Sequence, residues 1–130
     1  MSRKDELIQE LASLILQSED LLDNQWDLAT IVFDVAAGAV SNSGFKYTKS
    51  EIEPIIAEVP DDIVLLDDKL VEFQNEIINS FGHSFVQLLI QFDRKNNKVK
   101  LDFEFDNPSR WSITPANLKR IREELRPKFD

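Results

Sequence analysis

The chain has no cysteine, one histidine and three glycines among its 130 residues. Without cysteine there can be no disulfide, no thiolate metal site and no cysteine nucleophile. Three glycines with no close spacing cannot build a phosphate loop or a dinucleotide fingerprint. His83 follows Gly82 at a helix exit and reads as a partly solvated loop residue, because a metal site needs several ligands. Ser84 adjoins it, but neighbours in sequence do not make a nucleophile–base pair, and no serine has the glycine flanks of a nucleophile elbow. No apolar run approaches the roughly 18 residues of a membrane span. The start, Met1-Ser2-Arg3-Lys4-Asp5-Glu6, lacks the apolar centre of a secretory signal. The expectation is one cytoplasmic domain over residues 1–130, not an enzyme, with no cofactor and no metal.

Hydrophobic residues make up 42% and charged residues 30%, the balance of a globular chain. Fifteen bases against 24 acids leave a formal charge of −9. This argues against direct binding of nucleic acid or anionic membranes, which need a cationic surface. The charge is also uneven. Residues 1–80 carry 17 acids and 5 bases, whereas residues 81–130 carry 7 acids and 10 bases. An acidic body of this kind favours a basic partner, although solubility alone explains part of it.

Leu7, Ile8, Leu11, Leu14, Ile15 and Leu22 recur at helical spacing, with Asp5 and Glu6 at the positive end of the dipole. Trp26 to Ala36 reads as a strand, dense in β-formers. Ala37-Gly38-Ala39 and Ser41-Asn42-Ser43-Gly44 read as breakers, and Phe45-Lys46-Tyr47-Thr48 as a short second strand. Ser50 and Glu53 have capping-box spacing, with Pro54 limiting any helix there to a turn or two. Pro60-Asp61-Asp62 opens a longer helix striped by Ile63, Leu66, Leu70, Phe73, Ile77 and Phe81 and ended by Gly82.

Two alternating runs flank Asn96-Asn97, which predicts a hairpin pairing Phe92 with Leu101, Ile90 with Phe103 and Leu88 with Phe105. The opposite face carries Gln87, Gln91, Asp93, Lys100, Asp102, Glu104 and Asp106 and reads as solvated, Leu89 excepted. Thr114-Pro115 reads as the cap and first position of a last helix buried through Leu118, Ile121 and Leu125 and ended by Arg126-Pro127. The order α-β-β-α-β-β-α predicts an α+β domain, an antiparallel sheet of about four strands with helices packed on one face.

Two acidic groups are candidate binding surfaces. The denser one is Asp61, Asp62, Asp67 and Asp68, with Glu72 on the same helix and Glu58 across Pro60. The second is Asp102, Glu104 and Asp106 at period two on one strand face. The first lacks the glycine and final glutamate of a calcium loop. In the second, neighbours about 7 Å apart lie on an open face with no enclosing site. A solvated charged face and a protein-binding face both remain open for each; Asp67, Asp68 and Glu72 are the favoured contacts, because helix capping accounts for Asp61 and Asp62. Trp26 and Trp111 each border an apolar run and read as core residues.

The closing segment Asp106-Asn107-Pro108-Ser109-Arg110-Trp111-Ser112-Ile113-Thr114-Pro115-Ala116-Asn117-Leu118, followed by Glu124-Leu125-Arg126-Pro127, resembles the C-terminal part of bacterial immunity proteins that accompany polymorphic toxins. It is similar to the YezG-type and contact-dependent growth inhibition immunity proteins, and the element order agrees. The Ala36–Ser43 connection, richer in alanine, departs from that pattern. The resemblance implies a cytoplasmic antidote, a monomer that binds a cognate toxin domain 1:1. Within it, Arg110, Trp111, Thr114 and Pro115 are expected to fasten the hairpin exit to the last helix. A nuclease toxin, with its cationic cleft, would attract an acidic protein. The competing class is an acidic secretion chaperone or adaptor, which generally works as a homodimer with exposed apolar grooves.

Overall fold

A computed structural model describes residues 3–23, 25–35 and 39–129. Its elements are α1 (Arg3–Leu16), α2 (Glu19–Leu22), β1 (Leu28–Asp34), β2 (Ser41–Tyr47), β3 (Ile52–Ile55), α3 (Leu65–Phe81), β4 (Gln87–Asp93), β5 (Lys98–Glu104) and α4 (Leu118–Glu124). The fold is α+β, with the strands in the order β3-β2-β1-β4-β5 and every neighbouring pair antiparallel.

Side-chain alternation along the two central strands divides the interior between the two sheet faces. Ala29, Ile31 and Phe33 of β1 and Leu88, Ile90 and Phe92 of β4 face α1 and α3, which bring Leu7, Leu11, Ile15, Leu66, Leu70, Phe73 and Ile77. On the other face Val32 and Leu89, with Phe45 and Tyr47 of β2, meet Trp111, Ile121 and Leu125 of the C-terminal segment. The sheet is therefore covered on both faces, which corrects the expectation of helices on one. All seven residues of β4 are buried, including Gln87, Gln91 and Asp93 from the face read as solvated.

The sheet has five strands because residues 52–55, predicted as a helical turn, extend along β2. Pro54 is tolerated there because β3 is an edge strand, where the missing N–H costs no ladder bond. The presumed breakers at 41–44 lie inside β2. Gly44 serves close approach rather than a turn: a Cβ at this position would collide with the Thr30 carbonyl of β1. Asn42 extends the edge by side chain, accepting from Ala57 N at 2.8 Å and donating to Ala57 O at 2.9 Å. Of the predicted Trp26–Ala36 strand, β1 realises Leu28–Asp34. Ala36, Ala37 and Gly38 lie outside the described residues, and so does the Ala36 end of the connection to Ser43.

The hairpin forms with the predicted facing but with its pairing shifted by two residues. Phe92 opposes Val99, Ile90 opposes Leu101 and Leu88 opposes Phe103. A two-residue shift preserves which face each side chain occupies, so alternation alone could not detect it. The turn decides the register. A two-residue Asn96-Asn97 turn of the favoured type needs positive φ at both residues, and only Asn97 has it, at 52°. The loop is instead 94–97, with Asp93 accepting from Asn96 N at 3.2 Å and Asn96 Nδ2 at 2.8 Å.

Helix α3 starts at Leu65 rather than at Asp61, whose φ of 65° cannot enter a helix. Ile63 consequently leaves the stripe and is exposed, as is Phe81 at the far end. Gly82 ends the helix at φ 87°, donating to Ile78 O at 2.8 Å. The last helix begins at Leu118, one turn later than the Thr114 cap implied, and Leu118 is exposed. Thr114 and Asn117 exchange bonds across the preceding turn: Asn117 Oδ1 accepts from Thr114 N at 2.8 Å and Thr114 Oγ1 from Asn117 N at 3.2 Å.

Gly44→Ala should lower stability by about 1–3 kcal/mol, as expected for a methyl forced into a packed backbone. Urea unfolding measures this, and an unchanged midpoint would mean that β1 and β2 do not approach as described.

Candidate protein-binding surface

Among the acids of α3, Glu72 is engaged by bases, whereas Asp67 and Asp68 meet none among the described residues. Glu72 faces α1, where Arg3 and Lys69 hold its carboxylate, the latter at 3.3 Å. Lys69 also reaches Glu10 at 3.1 Å, and Arg3 reaches Glu6 at 3.2 Å and Glu10 at 3.5 Å. The hydrogen bond from Arg3, then that from Lys69, holds the Glu72 carboxyl below its ordinary range. This seam ties the helices together on the exposed side, where individual pairs contribute little.

Asp67 and Asp68 begin α3 on its outer side, Asp67 half-buried and Asp68 exposed. Burial, then the charges of Asp68 and Glu58, push the Asp67 carboxyl above its usual range. Asp61 and Asp62 are exposed in the turn before the helix. Asp62 serves that turn through its backbone, donating to Val59 O at 3.2 Å and accepting from Leu65 N at 3.3 Å. Asp67 thus feels both Asp68 and Glu58, while Glu72, one turn on from Asp68, differs in being held by Arg3 and Lys69.

The hairpin acids are not equivalent either. Asp102 and Asp106 are exposed, with Asp102 opposite Leu89 of β4. Glu104 is committed to the chain's own backbone: Oε2 accepts from Asp106 N at 3.1 Å and Asn107 N at 3.0 Å, while Oε1 accepts from Arg110 at 2.9 Å. These bonds, Asn107's first, hold the Glu104 carboxyl below its usual range.

From this turn the closing motif crosses the sheet. Arg110 lies over the Trp111 ring, 4.6 Å from its centroid, and Trp111 is buried against the second cluster. Trp111 N donates to Gln87 Oε1 at 2.8 Å, and Gln87 Nε2 donates to Asp34 and Ser112, each at 3.2 Å. Thr114 and Pro115 are exposed on the turn before α4. Thr30 Oγ1 and Gln91 Nε2 both donate to Leu125 O, at 2.6 and 3.0 Å, and Tyr47 donates to Arg122 O at 2.7 Å. Burial pushes the Tyr47 hydroxyl far above its ordinary pKa. His83 is exposed and meets Phe105 edge-on at 5.0 Å.

Sequence reasoning passed over the apolar residues among the α3 acids. Val64, Val71 and Ile78 are exposed, and their seven-residue spacing, two helical turns, was the available signal. Among the described residues, no three His, Cys, Asp or Glu side chains are grouped to hold a metal ion, and no helix is long and apolar enough to cross a membrane. Compared with protein-family models and with curated proteins, the chain matches none.

Glu104→Gln should destabilise the protein at neutral pH more than Asp102→Asn does. A carboxyl whose folded pKa is depressed adds stability above its unfolded pKa and loses it as pH falls through the folded value. The gap between the variants should therefore close below the ordinary glutamate range in urea titrations at stepped pH. A gap that persists undiminished there would contradict the assignment.

Proposed function

We propose that this chain is an immunity protein, a cytoplasmic monomer that neutralises a cationic toxin domain by binding it 1:1. The observation that carries the reading is the outer acidic group at the start of α3. Burial first, and then the charges of Asp68 and Glu58, raise the Asp67 carboxyl. A partner bearing lysines or arginines relieves that repulsion on binding, and the net charge of −9 steers it in. The resemblance of residues 106–118 to toxin-associated immunity proteins supplies the biological class, with a nuclease as the favoured toxin. In this reading the antidote acts by occupancy and not by turnover.

A second reading, an acidic secretion chaperone, draws on a shallow groove of about 440 Å³ beside the β3 edge. Phe45, Pro54, Ile56, Ile113 and Leu118 line it, an apolar surface suited to an extended segment. That class works as a dimer, so a monomer by sedimentation counts against it.

The test is to look for a large effector gene next to that of this chain and, where one is found, to co-express its C-terminal domain with the chain at graded ratios. Growth protection should rise with dose and saturate near one antidote per toxin, with a 1:1 complex on purification. Protection persisting far below one per toxin would contradict the reading, because only a catalyst acts substoichiometrically.

A further inference from the structure

Half of the exposed large hydrophobic side chains lie on α3 or in the two residues that lead into it. Ten large hydrophobic side chains are exposed among the described residues, and five of them (Ile63, Val64, Val71, Ile78 and Phe81) fall within residues 63–81. Single exposed hydrophobics are ordinary, whereas a contiguous set marks a contact surface. Val64, Val71 and Ile78 repeat every seven residues, so successive members stand two turns, about 10.5 Å, apart. The drift of about 20° per seven residues keeps them in one nearly straight row. At 100° per residue, Asp68 and Asn75 flank one side of the row and Asp67 and Gln74 the other. The buried stripe of Leu66, Leu70, Phe73 and Ile77 lies about 130° round the helix from the row.

We propose that this outer face of α3 is the surface that receives the partner, with Val64, Val71 and Ile78 seating an apolar ridge of a cationic segment whose lysines or arginines meet Asp67, Asp68 and Glu58. The proposal rests on the reading above for the existence of a cationic partner, and adds where and how it docks. Charge chooses the occupant. The one base of α3, Lys69, is held in the α1 seam by Glu10 and Glu72. A second copy of this chain on the same face would bring like charges together, whereas a cationic partner finds uncompensated acids beside an apolar row. An apolar centre with a charged rim is the common anatomy of such interfaces, and anchors repeating over two turns suit docking along a helix. Glu72, engaged by Arg3, is outside this surface.

The test measures association and dissociation of the C-terminal domain of an effector encoded next to this chain's gene, on the immobilised chain, by surface plasmon resonance. Val71→Ser with Ile78→Ser should weaken binding at least tenfold, chiefly through faster dissociation. Asp67→Asn with Asp68→Asn should slow association at least threefold at low salt and flatten its salt dependence, since rim charges act on encounter. Asp102→Asn with Asp106→Asn on the hairpin should change neither. Circular dichroism and urea midpoints check that each variant is folded; should Ile78→Ser disturb the helix, Val64→Ser with Val71→Ser carries the same expectation. If the parent binds and both α3 variants bind equally well, the docking surface is wrong while the proposed function stands. If the folded parent does not bind, the proposed function falls and this surface with it.

Discussion

The architecture depends on the need to satisfy polar groups buried on the outer face of the central strands. Thr30 and Gln91 are enclosed side chains, and Leu125 O accepts from both. Gln87, also enclosed, takes Trp111 N and gives its amide to Asp34 and Ser112. An enclosed donor or acceptor left unmatched costs about 1–3 kcal/mol, more than a typical paired bond contributes. The C-terminal segment is therefore held by direction as well as by area. Trp111, Ile121 and Leu125 supply the apolar contact, while the glutamines and the threonine fix where it lies. With that segment in place β4 becomes a fully internal strand, and the opposite face is left to α1 and α3.

That division assigns separate work to the charges. Acids next to α1 are matched by Arg3 and Lys69, and Glu104 is matched by two backbone N–H groups and Arg110. These serve cohesion. Asp67 stands beside the exposed row of Val64, Val71 and Ile78, where burial and then the charges of Asp68 and Glu58 raise its carboxyl. The two sides of α3 thus differ in kind. One is closed by intramolecular pairs, and the other is suited to an external cation.

What was legible in the sequence followed from periodicity. The inner stripes Leu7, Leu11, Ile15 of α1 and Leu66, Leu70, Phe73, Ile77 of α3, the Gly82 stop and the facing of the hairpin rest on spacing; Leu22, Ile63 and Phe81, expected in those stripes, are exposed. The misreadings came where context reverses a local signal. Gly44 and Pro54 are usual turn residues, yet a close backbone approach and an unpaired strand edge accommodate them in β2 and β3. Gln87 and Gln91 are polar at outward positions, and nothing local announces that a segment 24 to 34 residues later will cover them. The hairpin register escaped because a two-residue shift leaves every facing unchanged. Among the acids, charge density singled out the start of α3. It could not separate Glu72 from Asp67, because that distinction needs the position of Arg3, 69 residues away.

Asp67 and Asp68, the outer acids of α3, have no cationic partner among the described residues of the fold. Carboxyl NMR titration of Asp67 in the isolated protein tests this most directly, because two influences oppose there. Burial and the neighbouring acids raise its pKa, whereas the helix N-terminus favours the charged form. The expected midpoint lies above the ordinary aspartate value of about 3.9 and falls when a cationic partner binds. A midpoint at or below that value in the free protein would show that the helix already satisfies the carboxylate, and would contradict the account.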